Sequence, residues 1–285
     1  MIFDTIQPKG KRMDMLAFVG CGVIGEAMIA GILRKELLRS DQIVASHPRA
    51  NRRQELSQKY NIHVFENNTE AVERNDKGKK SMVVLSVKPQ RLPMILQELG
   101  STVSSNQLVL SIVAGTRMET LSDGLGMQKI IRAMPNTPAQ IGHGITAWTC
   151  TNDVSDSERS QIKELLTALG CELFVETENM IDMATSLSAT GPTYTFLVME
   201  ALTDAGVHMG FSREMAKELV QETMLGSVLF AMESHKHPAE LRNMVTSPGG
   251  TSADAIYQME KGGLRTVLSK AVYAAYQRAV ALGQN

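Results

Sequence analysis

Apolar and polar positions follow one rhythm up to about Glu178 and a different one beyond it. Before that point, short apolar runs recur at Leu16–Val19, Gln42–Ala45, Ile62–Phe65, Met82–Val87, Leu108–Val113, Lys129–Met134, Ile145–Cys150 and Glu172–Val175. Runs of this length, closed by Gly, Pro or polar clusters, predict strands, and the nearly continuous ones predict burial on both faces of a parallel sheet. Helical stretches lie between them: one after Gly25, one ending near Tyr60, a piece from Thr69 to Arg74, and one from Ser155 to Leu169. Pro89 cannot sit inside a central strand, so the fourth run must turn at Lys88-Pro89-Gln90. Strands alternating with helices predict an α/β fold built on a doubly wound sheet.

Beyond Glu178 the strand pattern stops, and Met180–Val207, Ser212–Glu233, Pro238–Val245, Thr251–Lys261 and Leu264–Leu282 read as helices parted by Gly or Pro. Met215, Leu219, Met224, Val228 and Met232 fall three to five residues apart and predict one dry stripe on a helix. The organisation expected is a polar tail over residues 1–14, a dinucleotide-binding domain over 15–178 and an all-helical domain over 179–285. So many apolar helices need a partner surface, and a two-fold homodimer built from them is the expectation.

Composition narrows the function. The chain of 285 residues is 43% hydrophobic and carries a formal charge of -1, so no overall basic field draws it to nucleic acid or to an anionic membrane. Any anion site must be local. Cys21, Cys150 and Cys171 are far apart and form no C-x-x-C pair, which argues against a disulfide framework or a zinc site and for a reducing cytoplasm. No apolar run approaches a membrane span, and Met1 to Asp14 lacks the apolar core of a signal peptide; Met13 or Met15 is an alternative start. The 18 methionines read as adaptable core filling.

Candidate chemistry sits in three places. In LAFVGCGVIGEAMIAG, from Leu16 to Gly31, the glycines Gly20, Gly22 and Gly25 lie between a strand and a helix. In that spacing the first glycine permits the turn, the second lets backbone approach a pyrophosphate and the third lets helix and strand pack closely. The amides at the helix start, shared with Cys21, Val23 and Ile24, then face the anion. Plain turn geometry is the alternative reading of the same glycines. The second place is the end of the next strand, where an NAD site usually carries an acidic side chain. Here stand Ser46, His47, Pro48 and Arg49, with Arg52 and Arg53 close behind. A hydroxyl with cations suits a 2′-phosphate and predicts NADPH over NADH, although these arginines, Arg53 above all, also fit a solvated helix face. The third is Ser247-Pro248-Gly249-Gly250 followed by Thr251-Ser252. It offers free N–H donors and a capping hydroxyl for a carboxylate, or a plain interhelical turn. No metal-ligand cluster, no recognisable Ser-His-Asp set and no lysine near Thr190-Gly191-Pro192 accompany them. The chemistry must ask little of protein acids and bases.

The segments FVGCGVIGEAM, LSVKPQ, SIVAGT, IRAMPNTPAQIGHG, ATGPTYTF and LRNMVTSPGGTSADAIYQMEKGG resemble those of the pyrroline-5-carboxylate reductases over roughly Leu16 to Leu282. The resemblance implies a Rossmann domain, a helical dimerisation domain, and dimers that can assemble into rings. It implies a cyclic imino acid, 1-pyrroline-5-carboxylate, reduced to L-proline by hydride from NAD(P)H. It places the dinucleotide on Gly20 to Gly25, with Ser46 and Pro48 near the adenosine phosphate and Asn68, Val87, Lys88, Pro89 and Ala114 along the cleft. The substrate carboxylate would rest on amides around Gly250, Thr251 and Ser252, near Ser247, with Glu178 bordering the site and Ser252 donating to the imine nitrogen. Hydride would cross between the two domains near the dimer seam. A hydrogen-bonded imine is electrophilic enough that positioning the donor about 3–3.5 Å away supplies most of the catalysis. Two departures stand out: Ser252 replaces the usual Thr, and Ala189-Thr190-Gly191-Pro192-Thr193-Tyr194 replaces a run of smaller residues. Extra bulk there leaves room for a substituted pyrroline, such as a methylated ring, or for a non-catalytic NADPH-binding regulator. The β-hydroxyacid dehydrogenases share the architecture but carry a lysine soon after a Gly-rich signature, and here none follows Gly191 until Lys217.

Overall fold

A computed structural model describes residues 13–75 and 80–283. The expected tail lies outside the described residues up to residue 12. The chain divides into two units, the first running through Ala189 and taking in again the chain from Ala275, the second covering Thr190–Ala274.

The first unit holds eight strands: β1 (Met15–Val19), β2 (Ile43–Ser46), β3 (His63–Phe65), β4 (Ser81–Leu85), β5 (Leu108–Ser111), β6 (Ile130–Met134), β7 (Gly144–Cys150) and β8 (Gly170–Phe174). They form one sheet in the order β3-β2-β1-β4-β5-β6-β7-β8. β1 to β6 are parallel, β7 runs antiparallel to β6, and β8 is parallel to β7. Between the strands lie α1 (Val23–Arg34), α2 (Ala50–Tyr60), α3 (Asn68–Asn75), α4 (Leu92–Leu99), α5 (Met118–Leu125) and α6 (Asp156–Leu166).

The two-residue period of a strand sorts its side chains onto two cores. Leu16 and Phe18 of β1, with Met82 and Val84 of β4, pack with Met28, Ile29 and Ile32 of α1 and with Ile162 and Leu166 of α6. Val19, Val83 and Leu85 face the other way, onto Leu96 and Leu99 of α4 and Leu121 and Leu125 of α5. Helix ends follow local chemistry. Ser155 and Glu158 form a reciprocal capping box at the start of α6, and Asn61 and Gly126 close α2 and α5 in the left-handed conformation.

The structure departs from the pattern at several element ends, with β5 stopping at Ser111, β8 running from Gly170 to Phe174 and α6 stopping at Leu166, and more markedly at the following places. β4 ends at Leu85, two residues before the apolar run does, because the chain peels away toward Pro89. α4 and α5 carry no boundary that the pattern alone assigned. The single helix expected from Met180 to Val207 is α7 (Glu178–Ala184), a π-turn over Thr185–Ala189 and α8 (Gly191–His208). The hydroxyls of Thr185 and Ser188 donate back to the carbonyls of Ile181 and Ala184 at 2.7 and 2.8 Å, and Pro192 can supply no N–H to carry the ladder onward.

A buried charge cluster anchors α7. Arg132 of β6, 2% exposed, donates to Asp182 Oδ1 at 2.6 Å and to Glu178 Oε1 at 2.9 Å. Glu178 Oε1 also accepts from the amide of Met118 at 2.7 Å, capping α5, and Arg117 pairs with Asp182 at 3.1 Å.

The second unit contains α8, α9 (Arg213–Ser234), α10 (Pro238–Met244), α11 (Thr251–Lys261) and α12 (Leu264–Leu282), whose last two turns belong to the first unit. α8 and α9 cross where Gly206 faces Ala216, and a Cβ at Gly206 would come within 2.9 Å of the alanine's. Of residues 190–274, Thr203, Gly206 and Ala216 are the buried ones. The stripe predicted to stay dry on α9 is open in a single chain, with Met215 54%, Val228 57% and Met232 67% exposed. Among the described residues no element covers it. No helix among the described residues is long and apolar enough to cross a membrane.

Arg132→Ala would leave Asp182 buried without its closest cation, and urea unfolding should show a loss of about 3–5 kcal/mol. A loss below about 1 kcal/mol would mean that the cluster carries little of the fold's stability.

Candidate functional site

The carboxyl ends of β2, β1, β4 and β5 stand side by side, with the order reversing between β1 and β4. Open α/β sheets bind ligands at such a switch point. Gly20 leaves β1 with φ of +74°, and a Cβ there would lie 2.6 Å from Val87 Cγ1. Its amide donates to Ser46 Oγ at 3.1 Å, and its carbonyl accepts from the Ser86 hydroxyl. Gly25 is closed in by Ser86, whose Oγ would lie 2.8 Å from an added Cβ. Gly22, the N-cap of α1, differs from both: a Cβ there would meet nothing within 4 Å. The backbone is thus open to a ligand where a pyrophosphate would pass, and the first amides of α1 lack intrahelical acceptors. These residues fit a dinucleotide.

The other expected cleft residues follow from the same strand ends. Ser46, fully buried at the end of β2, donates to Asn68 Oδ1 at 2.7 Å, and Asn68 donates to Glu98 Oε2 at 2.8 Å. Ser46 therefore fixes the glycine turn from within. Val87 and Pro89 are half-buried after β4, and exposed Lys88 caps the short turn that Pro89 opens. Ala114 follows β5. Gly115, next to it, has φ of +75° and lies against Leu282 at the end of α12. Exposed Val23 and half-buried Ile24 begin α1. Cys21 is buried, and burial pushes its thiol up to about 12, so it is a packing residue at neutral pH.

Three arginines follow β2, and two are already paired. Arg53 pairs with Glu66 at 2.7 Å and donates to the carbonyls of His47 and Pro48 at 3.0 and 2.8 Å. Arg52 pairs with Glu26 and, at 2.8 Å, with Glu55. The exposed Arg49 side chain makes no ion pair among the described residues. Burial, then the charges of Arg49, Arg52 and Arg53, lower the pKa of the His47 ring. The sequence did not single out Glu26 or Glu98, whose partners lie far along the chain. Arg132, a lone charge in an otherwise apolar strand, was the one visible signal of the buried cluster.

In the second unit, Gly249 with φ of +69° turns the chain into α11, and Gly250 is its N-cap. The hydroxyl cap expected from Thr251-Ser252 is not formed: both residues lie inside the first turn, and no side chain caps it. Their amides have no intrahelical acceptor. Ser252 is half-buried, Thr251 and Ser247 are exposed, and Gly250 donates to the Ser247 carbonyl at 3.1 Å. Glu178 belongs to the first unit, held at Oε1 as described above. Among the described residues no three His, Cys, Asp or Glu side chains gather as a metal-ligand set. A separate cavity of about 640 Å³, lined by residues such as Ser40, Ile43, Asn61, His63 and Arg74, includes none of the expected cleft residues.

Comparison with known proteins gives two family matches: "Pyrroline-5-carboxylate reductase dimerisation" over residues 178–282 and "NADP oxidoreductase coenzyme F420-dependent" over residues 15–115. The pyrroline-5-carboxylate reductase of Pseudomonas aeruginosa is 39% identical over 270 residues, 94% of this chain and 97% of that protein. The crystal structure of the Plasmodium falciparum pyrroline carboxylate reductase with NADP bound matches with a TM-score of 0.85 at 28% identity, covering 95% of this chain and 99% of that one. A pyrroline-5-carboxylate reductase from Coxiella burnetii also gives 0.85, at 30% identity, over 96% of this chain and 100% of its own.

Glu26 ties these helices together and offers a test by acid. Burial raises its pKa, but hydrogen bonds from Lys59, Arg52 and Tyr60 outweigh that and bring it from 4.5 to about 2. A carboxylate lowered by folding adds stability above its unfolded pKa and loses it as pH falls through the folded one. The stability gap between the wild type and Glu26→Gln should therefore be constant above about pH 5 and close by about pH 2. A gap independent of pH in acid titrations of unfolding would contradict this.

Proposed function

We propose, for a chain that belongs to the pyrroline-5-carboxylate reductase family and so reduces 1-pyrroline-5-carboxylate to L-proline with hydride from NAD(P)H, the following assignment of roles. The observation that carries it is the likeness running through both units, from the glycine turn to the start of α11.

The dinucleotide, when bound, supplies the hydride. The turn from Gly20 to Gly25 holds its pyrophosphate on the open backbone amides at the start of α1, Val87, Lys88, Pro89 and Ala114 line its path, and Asn68 with Ser46 keeps the turn in shape. Pro48 and Arg49 meet the adenosine end. Because Arg49 makes no ion pair among the described residues and no acidic side chain occupies the end of β2, NADPH is preferred over NADH.

The substrate's carboxylate rests on the amides of Thr251 and Ser252 behind Gly250, with Ser247 beside them and Glu178 bordering the site. Ser252 is the catalytic residue: its hydroxyl donates to the imine nitrogen, draws electron density from the neighbouring carbon and makes that carbon the hydride acceptor. As hydride reaches the carbon, the nitrogen takes its proton through the Ser252 hydroxyl, which is replenished from water, so no further protein acid or base is required.

The working form is a homodimer, and the exposed apolar faces of the second unit support this. Phe196 is 60%, Met209 76%, Val267 60% and Tyr273 61% exposed in a single chain, and the unit buries almost nothing of its own. Covering such faces with a second copy is the economical solution. Unpaired Cys21, Cys150 and Cys171 support a cytoplasmic setting.

An assay of pyridine-nucleotide oxidation with 1-pyrroline-5-carboxylate should give a higher kcat/KM with NADPH than with NADH. A preference for NADH above about tenfold would overturn the cofactor assignment, and NADPH binding without turnover would indicate a regulator. Ser252→Ala should lower kcat about a hundredfold, whereas unchanged kcat and KM would remove Ser252 from its role. Sedimentation should show a dimer or larger at micromolar concentration, and a monomer would contradict the reading of the helical faces.

A further inference from the structure

Glu26 follows the third glycine of the turn, in the first turn of α1, and three side chains of α2 converge on its carboxylate. Arg52 donates to Oε2, and Lys59 and Tyr60 donate to Oε1 at 2.9 and 2.8 Å. The Arg52 and Glu26 side chains are only 14% and 18% exposed. The cluster joins the helix that follows the glycine turn to the helix that follows β2. The charges of Arg52 and Glu26 are felt by the Cys21 thiol, and that of Arg52 by the His47 ring.

Counting the charges gives the cluster its meaning. Arg52 and Lys59 supply two positive charges, and Glu26 and Glu55 two negative ones, so beside the adenosine end the set is neutral and Arg49 stands alone. A carboxylate in the first turn suits the helix dipole, yet at this place it also opposes an incoming phosphate. We propose that Glu26 is a specificity-determining residue, which by holding Arg52 and Lys59 on its carboxylate limits how strongly the enzyme prefers the 2′-phosphate of NADPH. This rests on the reading above that Arg49 and its neighbours meet the adenosine end.

NADPH and NADH differ only in that phosphate, so the ratio of their kcat/KM values isolates its contribution. A general loosening of α1 against α2 would weaken both cofactors alike and leave the ratio unmoved. Glu26→Gln keeps the shape and an acceptor for Arg52 but removes one negative charge. In the purified full-length enzyme at low salt it should raise the NADPH/NADH ratio about fivefold, and salt near 0.5 M should erase most of the gain. Arg52→Gln removes a cation and leaves Glu26 under-compensated, so it should lower the ratio. A Glu26→Gln ratio within about twofold of the wild type would overturn the proposal. If that variant does not fold, an unchanged ratio in Arg52→Gln does the same. Arg49→Ala separates the two readings. A lower ratio in Arg49→Ala with no rise in Glu26→Gln sinks the role of Glu26 alone, whereas no effect of Arg49→Ala removes the premise and the proposal together.

Discussion

The first unit depends on a contact that allows no side chain: the end of β1 pressed against the end of β4 at Gly20. Left-handed backbone and a neighbouring Val87 methyl exclude a Cβ there at once. A residue forced into such a conformation costs about 1–3 kcal/mol before any clash is counted. The turn is also held from both flanking strands, by Ser46 from β2 and by Ser86 beyond β4. The empty space at Gly22 exists because its neighbours are so fully constrained. The two glycines thus have opposite tasks, one making room for protein and the other for ligand.

Charge is handled with similar economy. Arg132 is buried and satisfied by two carboxylates and their own further partners, which makes it a rigid link between β6, α5 and α7. The cluster at Glu26 is open to water at its outer members, Lys59 and Glu55, so those pairs contribute less to stability and more to the local field. A net charge of -1 leaves no long-range attraction for a dinucleotide. Affinity must come from short-range amides and from whichever cations remain unpaired.

Much of this was legible in the sequence because the relevant signals are local. The strands declared themselves as apolar runs, the glycine spacing gave the turn its geometry, and the helical stretch read from Ser155 falls at the start of α6. What escaped detection depends on residues distant in the chain. The partnership of Glu26 with Arg52 spans 26 positions, and that of Asn68 with Glu98 spans 30. Without it, Arg52 looks as available to a phosphate as Arg49. The break at Thr185–Ala189 escaped because the hydroxyls that reshape the backbone act on carbonyls a turn away. The hydroxyl cap failed for a smaller reason: Gly250 takes the position, which moves Thr251 and Ser252 one place too far along.

The division of the chain has a consequence for its birth on the ribosome. Residues from Ala275 onward belong with the sheet, and Leu282 sits against Gly115 in the loop after β5. That seat is filled only after every residue of the helical unit has been translated. The loop after β5 lacks this neighbour until the closing segment has been made, so vectorial folding from the amino end cannot finish the first unit before the second has emerged.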